Sequence, residues 1–140
     1  MRCSHVALVA IIGVTVARCS DASGPPSTLV TRIDRAALDS TNSLVVSFTI
    51  TNAGQRSEDV PACGGQVGPR IQKELGVGWE EFAGGLCLAI YSTVPIALPP
   101  GASVSGTTGA WRGGAGRYRL VISYGRDGLP RAVSAPFTVE

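Results

Sequence analysis

Apolar and polar residues alternate most regularly between Leu44 and Asn52. One set of alternate positions is apolar and comprises Leu44, Val46, Phe48 and Ile50. The positions between them from Ser47 onward carry hydroxyl groups, and Asn52-Ala53-Gly54 supplies a turn signal at the end. Successive side chains of a strand point to opposite faces, so this pattern predicts a strand whose apolar face lies in a core.

Two stretches near the C-terminus alternate in the same way. In residues 117–124 the apolar set comprises Tyr118, Leu120, Ile122 and Tyr124. In residues 133–139 the alternation continues, but Pro136 has no backbone N–H to give to a ladder. We therefore expect the last strand to lie at a sheet edge or to present Pro136 to solvent.

Weaker strand signals fill the rest of the chain. They cover residues 29–33, 70–75, 79–82, 86–91 and 102–107. No helical period persists, and the 18 glycines and nine prolines contribute to turn signals at near-regular spacing. About seven or eight short strands with this spacing predict two facing antiparallel sheets, an all-β sandwich.

The first residues differ from this pattern. Met1-Arg2 leads into an apolar run over residues 6–17. That length fits the core of a signal peptide and falls short of the roughly 20 apolar residues that a membrane-spanning helix needs. We expect a signal helix over residues 1–18 and export of the protein, and cleavage after Ala17 would release a soluble chain beginning at Arg18.

A second cleavage site stays open beside the first. The segment Val16-Ala17-Arg18-Cys19 resembles the lipobox of bacterial lipoproteins, although Arg18 stands where that family has a small residue. The resemblance implies that Cys19 is lipidated and anchors the protein to the membrane of the bacterial cell envelope, as an outer-membrane lipoprotein. Without lipidation the protein would be periplasmic or secreted. Residues 19–27, which are polar and contain two prolines, are expected to form a flexible tether.

Residues 28–140 then suffice for one small domain. Of the four cysteines, Cys3 leaves with the signal and Cys19 takes the lipid on the lipoprotein interpretation. Cys63 and Cys87 remain, and their spacing is not that of a metal or redox motif. We expect them to form a structural disulfide in the oxidising environment outside the cytoplasm.

Several pieces of this domain resemble immunoglobulin-like β-sandwiches, and among them small bacterial domains similar to the intracellular proteinase inhibitor of bacilli. These pieces are Phe48 with Ile50-Thr51-Asn52-Ala53-Gly54, Trp79 after a turn, Leu98-Pro99-Pro100-Gly101, Trp111, and Gly116-Arg117-Tyr118-Arg119-Leu120. The last piece looks like a tyrosine corner, which implies that the Tyr118 hydroxyl bonds the backbone a few residues upstream. The resemblance implies an immunoglobulin-like fold, whereas export, Cys63 and Cys87 set this chain apart from the inhibitors.

Residue types that serve in common catalytic and metal sites are scarce. The only histidine is His5, inside the expected signal, which removes Ser-His-Asp and Cys-His systems and histidine metal sites from the domain. Lys73 stands in a charged run and is expected on a solvated strand face. Glu80 and Glu81 would point to opposite faces of a strand, unlike the carboxylate pair of a glycosidase. We expect neither an enzyme nor a cofactor or metal site.

Positive charge is nearly all arginine and concentrates in the C-terminal third. Arg117 and Arg119 share one outward face, and Arg112 follows Trp111 in a glycine-rich stretch. These four residues are candidate contacts for an envelope protein or an anionic polymer, and nucleic acid is not expected to meet an exported domain. Trp79 is expected in the core, because sandwiches usually bury one tryptophan.

The sequence thus favours a non-enzymatic, exported and lipid-anchored protein that acts as a protein-binding or structural module. Loops or an exposed edge strand would make its contacts. The alternative is a secreted protease inhibitor or a carbohydrate-binding module. That alternative needs an exposed loop or an aromatic platform around Trp79 or Trp111.

Overall fold

The computed structural model describes residues 27–84, 90–110, 112–124 and 131–140. Within these ranges the chain is all-β and forms no helix, which confirms the expected fold class. The expected signal helix, Cys19 and most of the expected tether lie outside the described residues. The strands are β1 (Leu29–Leu38), β2 (Leu44–Asn52), β3 (Glu58–Val60), β4 (Ala62–Cys63), β5 (Gln66–Val67), β6 (Arg70–Leu75), β7 (Gly78–Ala83), β8 (Ile96–Leu98), β9 (Ser103–Ala110), β10 (Gly116–Ser123), β11 (Arg131–Val133) and β12 (Phe137–Val139).

Strands β1, β2 and β9 form an antiparallel sheet with β2 in the middle. β2 covers the stretch that the alternation predicted, and its fully buried apolar side chains are Leu44, Val46, Phe48 and Ile50. On the opposite face, hydroxyl groups pair across to β9. Thr49 Oγ1 lies 2.9 Å from Ser105 Oγ, and Thr51 Oγ1 lies 2.8 Å from Ser103 Oγ. The first sheet therefore has one face in the core and one polar face, as is common in antiparallel sheets.

The second sheet has the order β11-β10-β6-β7, and β12 also pairs with β10. The buried side chains of β10 that were expected in the core are Tyr118, Leu120 and Ile122, and Tyr124 is buried just after the strand. β6 and β7 form a hairpin around Gly76-Val77. Short antiparallel pairs, β3 with β8 and β4 with β5, supplement the two sheets. The apolar faces of both sheets share one hydrophobic cluster, so the domain is an antiparallel sandwich.

The C-terminal edge strand is interrupted, whereas the alternation predicted one continuous strand. Three residues separate β11 from β12, and the register on β10 shifts by one residue between the two strands. Ser134 spans the break, because its N–H donates to the Leu120 carbonyl at 3.0 Å and its Oγ accepts from the Leu120 N–H at 2.9 Å. Pro136 lies exposed at this sheet edge, as a residue without an N–H requires.

Tyr118 lies among the aromatic side chains of the core. Its ring centroid is 5.8 Å from that of Phe82, edge to face, and 6.1 Å from that of Phe137, in a stacked arrangement. Its hydroxyl donates to the carbonyl oxygens of Gly113 and Gly114, the latter at 2.7 Å. The backbone bond that the tyrosine corner implied is thereby confirmed, and it fixes the β9–β10 loop against the second sheet.

Tyr124 fixes the point at which the chain enters the domain. Its hydroxyl accepts a hydrogen bond from the Thr28 N–H at 2.8 Å, and Thr28 Oγ1 donates to Glu58 at 2.8 Å. Residue 28 is thus held at the end of the sandwich where β10 finishes. The β6–β7 turn at Gly76-Val77 lies at the opposite end, because β6 runs antiparallel to β10.

Candidate functional site

The outward face of the second sheet brings one tryptophan beside two arginines. Glu74 on β6 lies opposite Trp79 on β7, and Gln72 on β6 lies opposite Arg119 on β10. Arg117 joins them, because residues 117 and 119 point away from the core side that Tyr118 occupies. We refer to the side chains of Gln72, Glu74, Trp79, Arg117 and Arg119 as the tryptophan–arginine face.

The indole ring of Trp79 contacts both guanidinium groups. The Arg119 Cζ atom lies 4.5 Å from the ring centroid, and the Arg117 Cζ atom lies 5.9 Å from it. A cation within about 6 Å of an indole centroid is attracted to the electron-rich face of the ring. The ring therefore helps to hold two like charges close together on one surface.

Polar partners on β6 hold the same two arginines. Arg117 Nη1 donates to both carboxylate oxygens of Glu74, at 3.0 and 3.1 Å. Arg119 Nε donates to Gln72 Oε1 at 2.7 Å. Each guanidinium is thus held by an aromatic contact on one side and a hydrogen bond on another, which restricts the rotamers of two long side chains.

The charges on this face do not cancel. Arg117 is paired with Glu74, and on the neighbouring rows Arg70 is paired with Glu81 at 3.3 Å. Arg119 has a neutral amide as its partner. Burial lowers the pKa of Arg119, because loss of water disfavours the charged form, but a guanidinium stays protonated in proteins. Arg119 therefore carries the uncompensated positive charge of the face.

The expectation that Trp79 lies in the core was wrong. Trp79 is half-buried on the outward face, whereas Phe82 contacts the core residue Tyr118. Residues three apart on a strand point to opposite faces, so only one of the two aromatic side chains of β7 could face inward. The odd spacing between Trp79 and Phe82 was therefore the sequence signal that could have placed Trp79 on the outward face. There the arginines of β10 contact its indole ring.

Lys73 also lies elsewhere than on the solvated strand face expected for it. Its Nζ atom is 5.5 Å from the ring centroid of Phe82 and 5.2 Å from that of Tyr118. It donates to the Gly113 carbonyl at 3.3 Å. Lys73 is two residues from the buried Ile71 on β6, so its aliphatic stem points to the core side and its ammonium group reaches the rim. Lys73 thus helps to fix the β9–β10 loop.

The other candidate residues from the sequence do not join this face. Arg112 is exposed in the β9–β10 loop with a φ of 59°, next to Gly113, which packs against Leu44 of the first sheet. Trp111, expected as a contact residue, lies outside the described residues. Of the four candidate contacts, the structure places Arg117 and Arg119 side by side.

The predicted disulfide lies only half within the described residues. Cys63 ends β4, and Cys87 falls in residues 85–89, which are outside them. After this segment the chain passes close to Cys63, because the Gly64 N–H donates to the Ser92 carbonyl at 2.9 Å. Pairing of Cys63 with Cys87 stays a prediction, and this contact is compatible with it.

Across residues 27–84, 90–110, 112–124 and 131–140, no group of three or more His, Cys, Asp or Glu side chains is arranged to hold a metal ion. In the same part of the chain, no helix is long and apolar enough to cross a membrane.

Fold and face together define an all-β antiparallel sandwich with an aromatic and cationic sheet surface. No known protein family matches the sequence, and no curated protein matches it. Among solved structures, a β-glucosidase from Erythrobacter marinus is similar to this chain with a TM-score of 0.41 and 14% sequence identity. The match covers 79% of this chain and 15% of the glucosidase chain. A likeness this low supports no argument about activity.

Proposed function

We propose that this protein is a non-enzymatic, exported binding module of the cell envelope that contacts a carboxylate-bearing partner through its tryptophan–arginine face. The observation that best supports this proposal is the pair of guanidinium groups held over one indole ring, at 4.5 and 5.9 Å from its centroid. Arginine is the cationic side chain whose planar donors match a carboxylate.

Preordered arginines favour binding for an entropic reason. A flexible side chain that becomes fixed on binding costs about 0.5–1.5 kcal/mol. Gln72, Glu74 and Trp79 already restrict Arg117 and Arg119 in the unbound protein. Less rotamer freedom is then lost when a ligand arrives.

Arg119 has donors available for such a ligand. A guanidinium carries five N–H donors, and the contact with Gln72 uses Nε. Within the described residues the two terminal amino groups of Arg119 have no hydrogen-bond partner. Two such groups form one of the guanidinium edges that can bind a carboxylate through a forked pair of hydrogen bonds. Its uncompensated charge adds an electrostatic attraction that salt weakens.

The carbohydrate-binding alternative would use Trp79 as the binding surface for a sugar. A sugar stacks on an open aromatic face, whereas the Arg119 guanidinium already lies over the ring of Trp79. This arrangement favours an acidic ligand over a neutral sugar. The protease-inhibitor alternative rests on the resemblance to the bacillar inhibitors alone.

Export and anchoring complete the proposal. After removal of the signal helix over residues 1–18, a lipid on Cys19 would attach the chain to the membrane ahead of residue 27. The contact between Thr28 and Tyr124 holds the start of the domain at one end. Trp79 and Glu74 lie next to the β6–β7 turn at the other end. A lipid anchor would therefore present the tryptophan–arginine face away from the attachment point.

Calorimetric titration tests the proposed ligand class with defined probes. Poly-L-glutamate and polygalacturonate carry carboxylates on a peptide and on a sugar backbone, and dextran is a neutral comparison. We expect both carboxylate polymers to bind and dextran not to bind. Arg119→Gln should weaken carboxylate binding about tenfold or more, because charge-assisted hydrogen bonds contribute roughly 1.5–3 kcal/mol.

A matched control separates a site from net charge. Arg32→Gln removes an exposed arginine that pairs with Asp34 at 2.8 Å and belongs to the first sheet. Equal weakening by Arg119→Gln and Arg32→Gln would reject the site, because only total charge would then matter. Binding of dextran that Trp79→Ala abolishes would reject it in favour of a carbohydrate-binding module.

A further inference from the structure

The sheet edges of this sandwich are not alike. An exposed edge strand offers unpaired backbone groups to any other strand, and proteins blunt such edges with charges, bulges, prolines or short length. β1 has a bulge between Ile33 and Arg35 and an exposed Arg32–Asp34 pair. β7 has a register shift against β6 and carries two exposed glutamates. The β11–β12 edge is broken at Pro136. Three of the four edges are therefore protected.

β9 has no bulge, charge or proline, and the β4–β5 hairpin lies beside it without pairing to it. β9 pairs with β2 over eight residues in an unbroken register, and its sequence is Ser-Val-Ser-Gly-Thr-Thr-Gly-Ala. It contains no charge and no proline, and its sheet has the order β1-β2-β9, so one side of β9 has no strand partner among the described residues. A regular, uncharged edge of this length is suited to pairing with another strand.

The backbone groups that point outward can be assigned from the ladder. The Asn52 N–H donates to the Ala102 carbonyl at 3.0 Å, and the register continues with Ile50 opposite Val104. Hydrogen-bonded and non-hydrogen-bonded pairs alternate in an antiparallel ladder, so the even-numbered residues of β9 bond β2. The odd-numbered residues direct their N–H and C=O groups away from the sheet, and these residues are Ser103, Ser105, Thr107 and Gly109.

We propose that β9 pairs antiparallel with β9 of a second copy of this chain and joins the two first sheets into one six-stranded sheet. A twofold axis through Gly106 relates the two copies in this arrangement. It places Ser105 opposite Thr107 of the second copy and Ser103 opposite Gly109 of the second copy. All four outward-facing residues then have partners, which gives about eight backbone hydrogen bonds. Identical edges bring no like charges together, because β9 is uncharged, so the edge is complementary to itself.

The side chains around β9 are suited to pairing with β9 of a second copy. On the polar face, Thr49 pairs with Ser105 and Ser47 lies 3.3 Å from Thr107 between hydroxyl oxygens, so the second copy would extend this row of hydroxyl pairs. On the other flank, a groove of about 230 Å³ separates residues 104–107 from residues 65–67 of the β4–β5 hairpin. Among the described residues no backbone hydrogen bond joins this hairpin to β9, so the hairpin does not use the outward N–H and C=O groups of the edge.

The proposed dimer does not depend on the tryptophan–arginine face. That face belongs to the outer surface of the second sheet, whereas β9 is the edge of the first. A dimer joined at β9 would leave both copies of the face accessible. Two linked copies would bind a polymer more tightly than one without any new contact.

Proline substitution tests this edge selectively. Ser105→Pro removes an N–H that points away from β2, so the ladder within the sheet keeps its bonds while pairing with a second copy loses two central bonds. Ser105→Ala removes the hydroxyl and keeps the N–H. For protein made from the full-length chain, we expect sedimentation equilibrium to give a dimer for the wild type and for Ser105→Ala. We expect Ser105→Pro to be monomeric, with an unchanged circular dichroism spectrum.

A cross-linking variant provides a second measurement should Ser105→Pro fail to fold. The double variant Ser105→Cys/Thr107→Cys should form disulfide-linked dimers on mild oxidation, because each cysteine then faces the other position of the second copy. The matched variant Ser47→Cys/Thr49→Cys on the central strand β2 should not. A wild-type monomer throughout the concentration series, or equal cross-linking by the two double variants, would overturn the proposal.

Discussion

Two buried tyrosines hold opposite ends of the sandwich through their hydroxyl groups. Tyr118 bonds the carbonyls of Gly113 and Gly114 near the start of β10, and Tyr124 bonds the Thr28 N–H after its end. A buried hydroxyl without a partner is costly, so each tyrosine needs its loop or terminus in one position. These single side chains thus determine how irregular segments attach to the regular sheets.

The Tyr118 contact gives a prediction at the residue scale. Tyr118→Phe keeps the ring packing against Phe82 and Phe137 but removes the donor of the Gly114 carbonyl and leaves the Gly113 carbonyl with Lys73 alone. We expect the free energy of unfolding to fall by about 1–2 kcal/mol, measured by urea denaturation. Tyr91→Phe, at an exposed tyrosine, serves as control and should change stability by less than about 0.5 kcal/mol. Equal effects of the two variants would contradict the role of the corner.

The strands differ in how strongly their own sequences determine them. β2 is a central strand with a full period of two, and its core face is completely buried. The edge line of β11 and β12 has the same period, but Pro136 and the Ser134 contacts divide it. A central strand must satisfy ladders on both sides, whereas an edge strand tolerates an extra residue.

The β6–β7 hairpin gives a prediction at the scale of the element. Its two-residue turn has Gly76 at a φ of 59°, a conformation that strains any residue with a side chain. We expect Gly76→Ala to lower the free energy of unfolding by about 1–2 kcal/mol in urea denaturation. Gly78→Ala is the matched control, because a methyl group there meets open space without a positive φ. A larger loss for Gly78→Ala than for Gly76→Ala would refute the turn assignment.

At the scale of the whole molecule, Arg117 and Arg119 acquire a role only through the packing of three strands. β10 supplies the arginines, β6 supplies the residues that hydrogen-bond them, and β7 supplies the indole ring. The proposed binding of carboxylates and the proposed pairing of β9 use different sheets. A negative result for one proposal therefore does not reject the other. Each can be tested without disturbing the other surface.

The predicted disulfide belongs to this scale, because it would join β4 to a segment after β7. If Cys63 and Cys87 are paired, dithiothreitol should lower the free energy of unfolding of the wild type by roughly 3 kcal/mol. The Cys63→Ser/Cys87→Ser variant should match the reduced wild type and show no response to dithiothreitol. A wild type whose urea midpoint is unaffected by reduction would contradict the pairing.

Part of the candidate site could be predicted from the sequence. The alternation in residues 117–124 placed Arg117 and Arg119 together on an outward face, and the structure agrees. Trp79 and Lys73 were misplaced, because their positions depend on neighbouring strands. A charged neighbourhood indicated solvent for Lys73, yet the rings of Phe82 and Tyr118 hold its ammonium group at the core rim.

The sequence by itself determined the all-β class and the strand β2, because a period of two is a local pattern. The tyrosine corner was implied by the resemblance to immunoglobulin-like sandwiches, and its hydrogen bond spans only a few residues. Only the tertiary structure decided the partner of each strand, and with it the tryptophan–arginine face and the unprotected edge of β9. These features depend on contacts between strands that are far apart in sequence. The alternation within one strand specifies which face is buried but not which strand lies beside it.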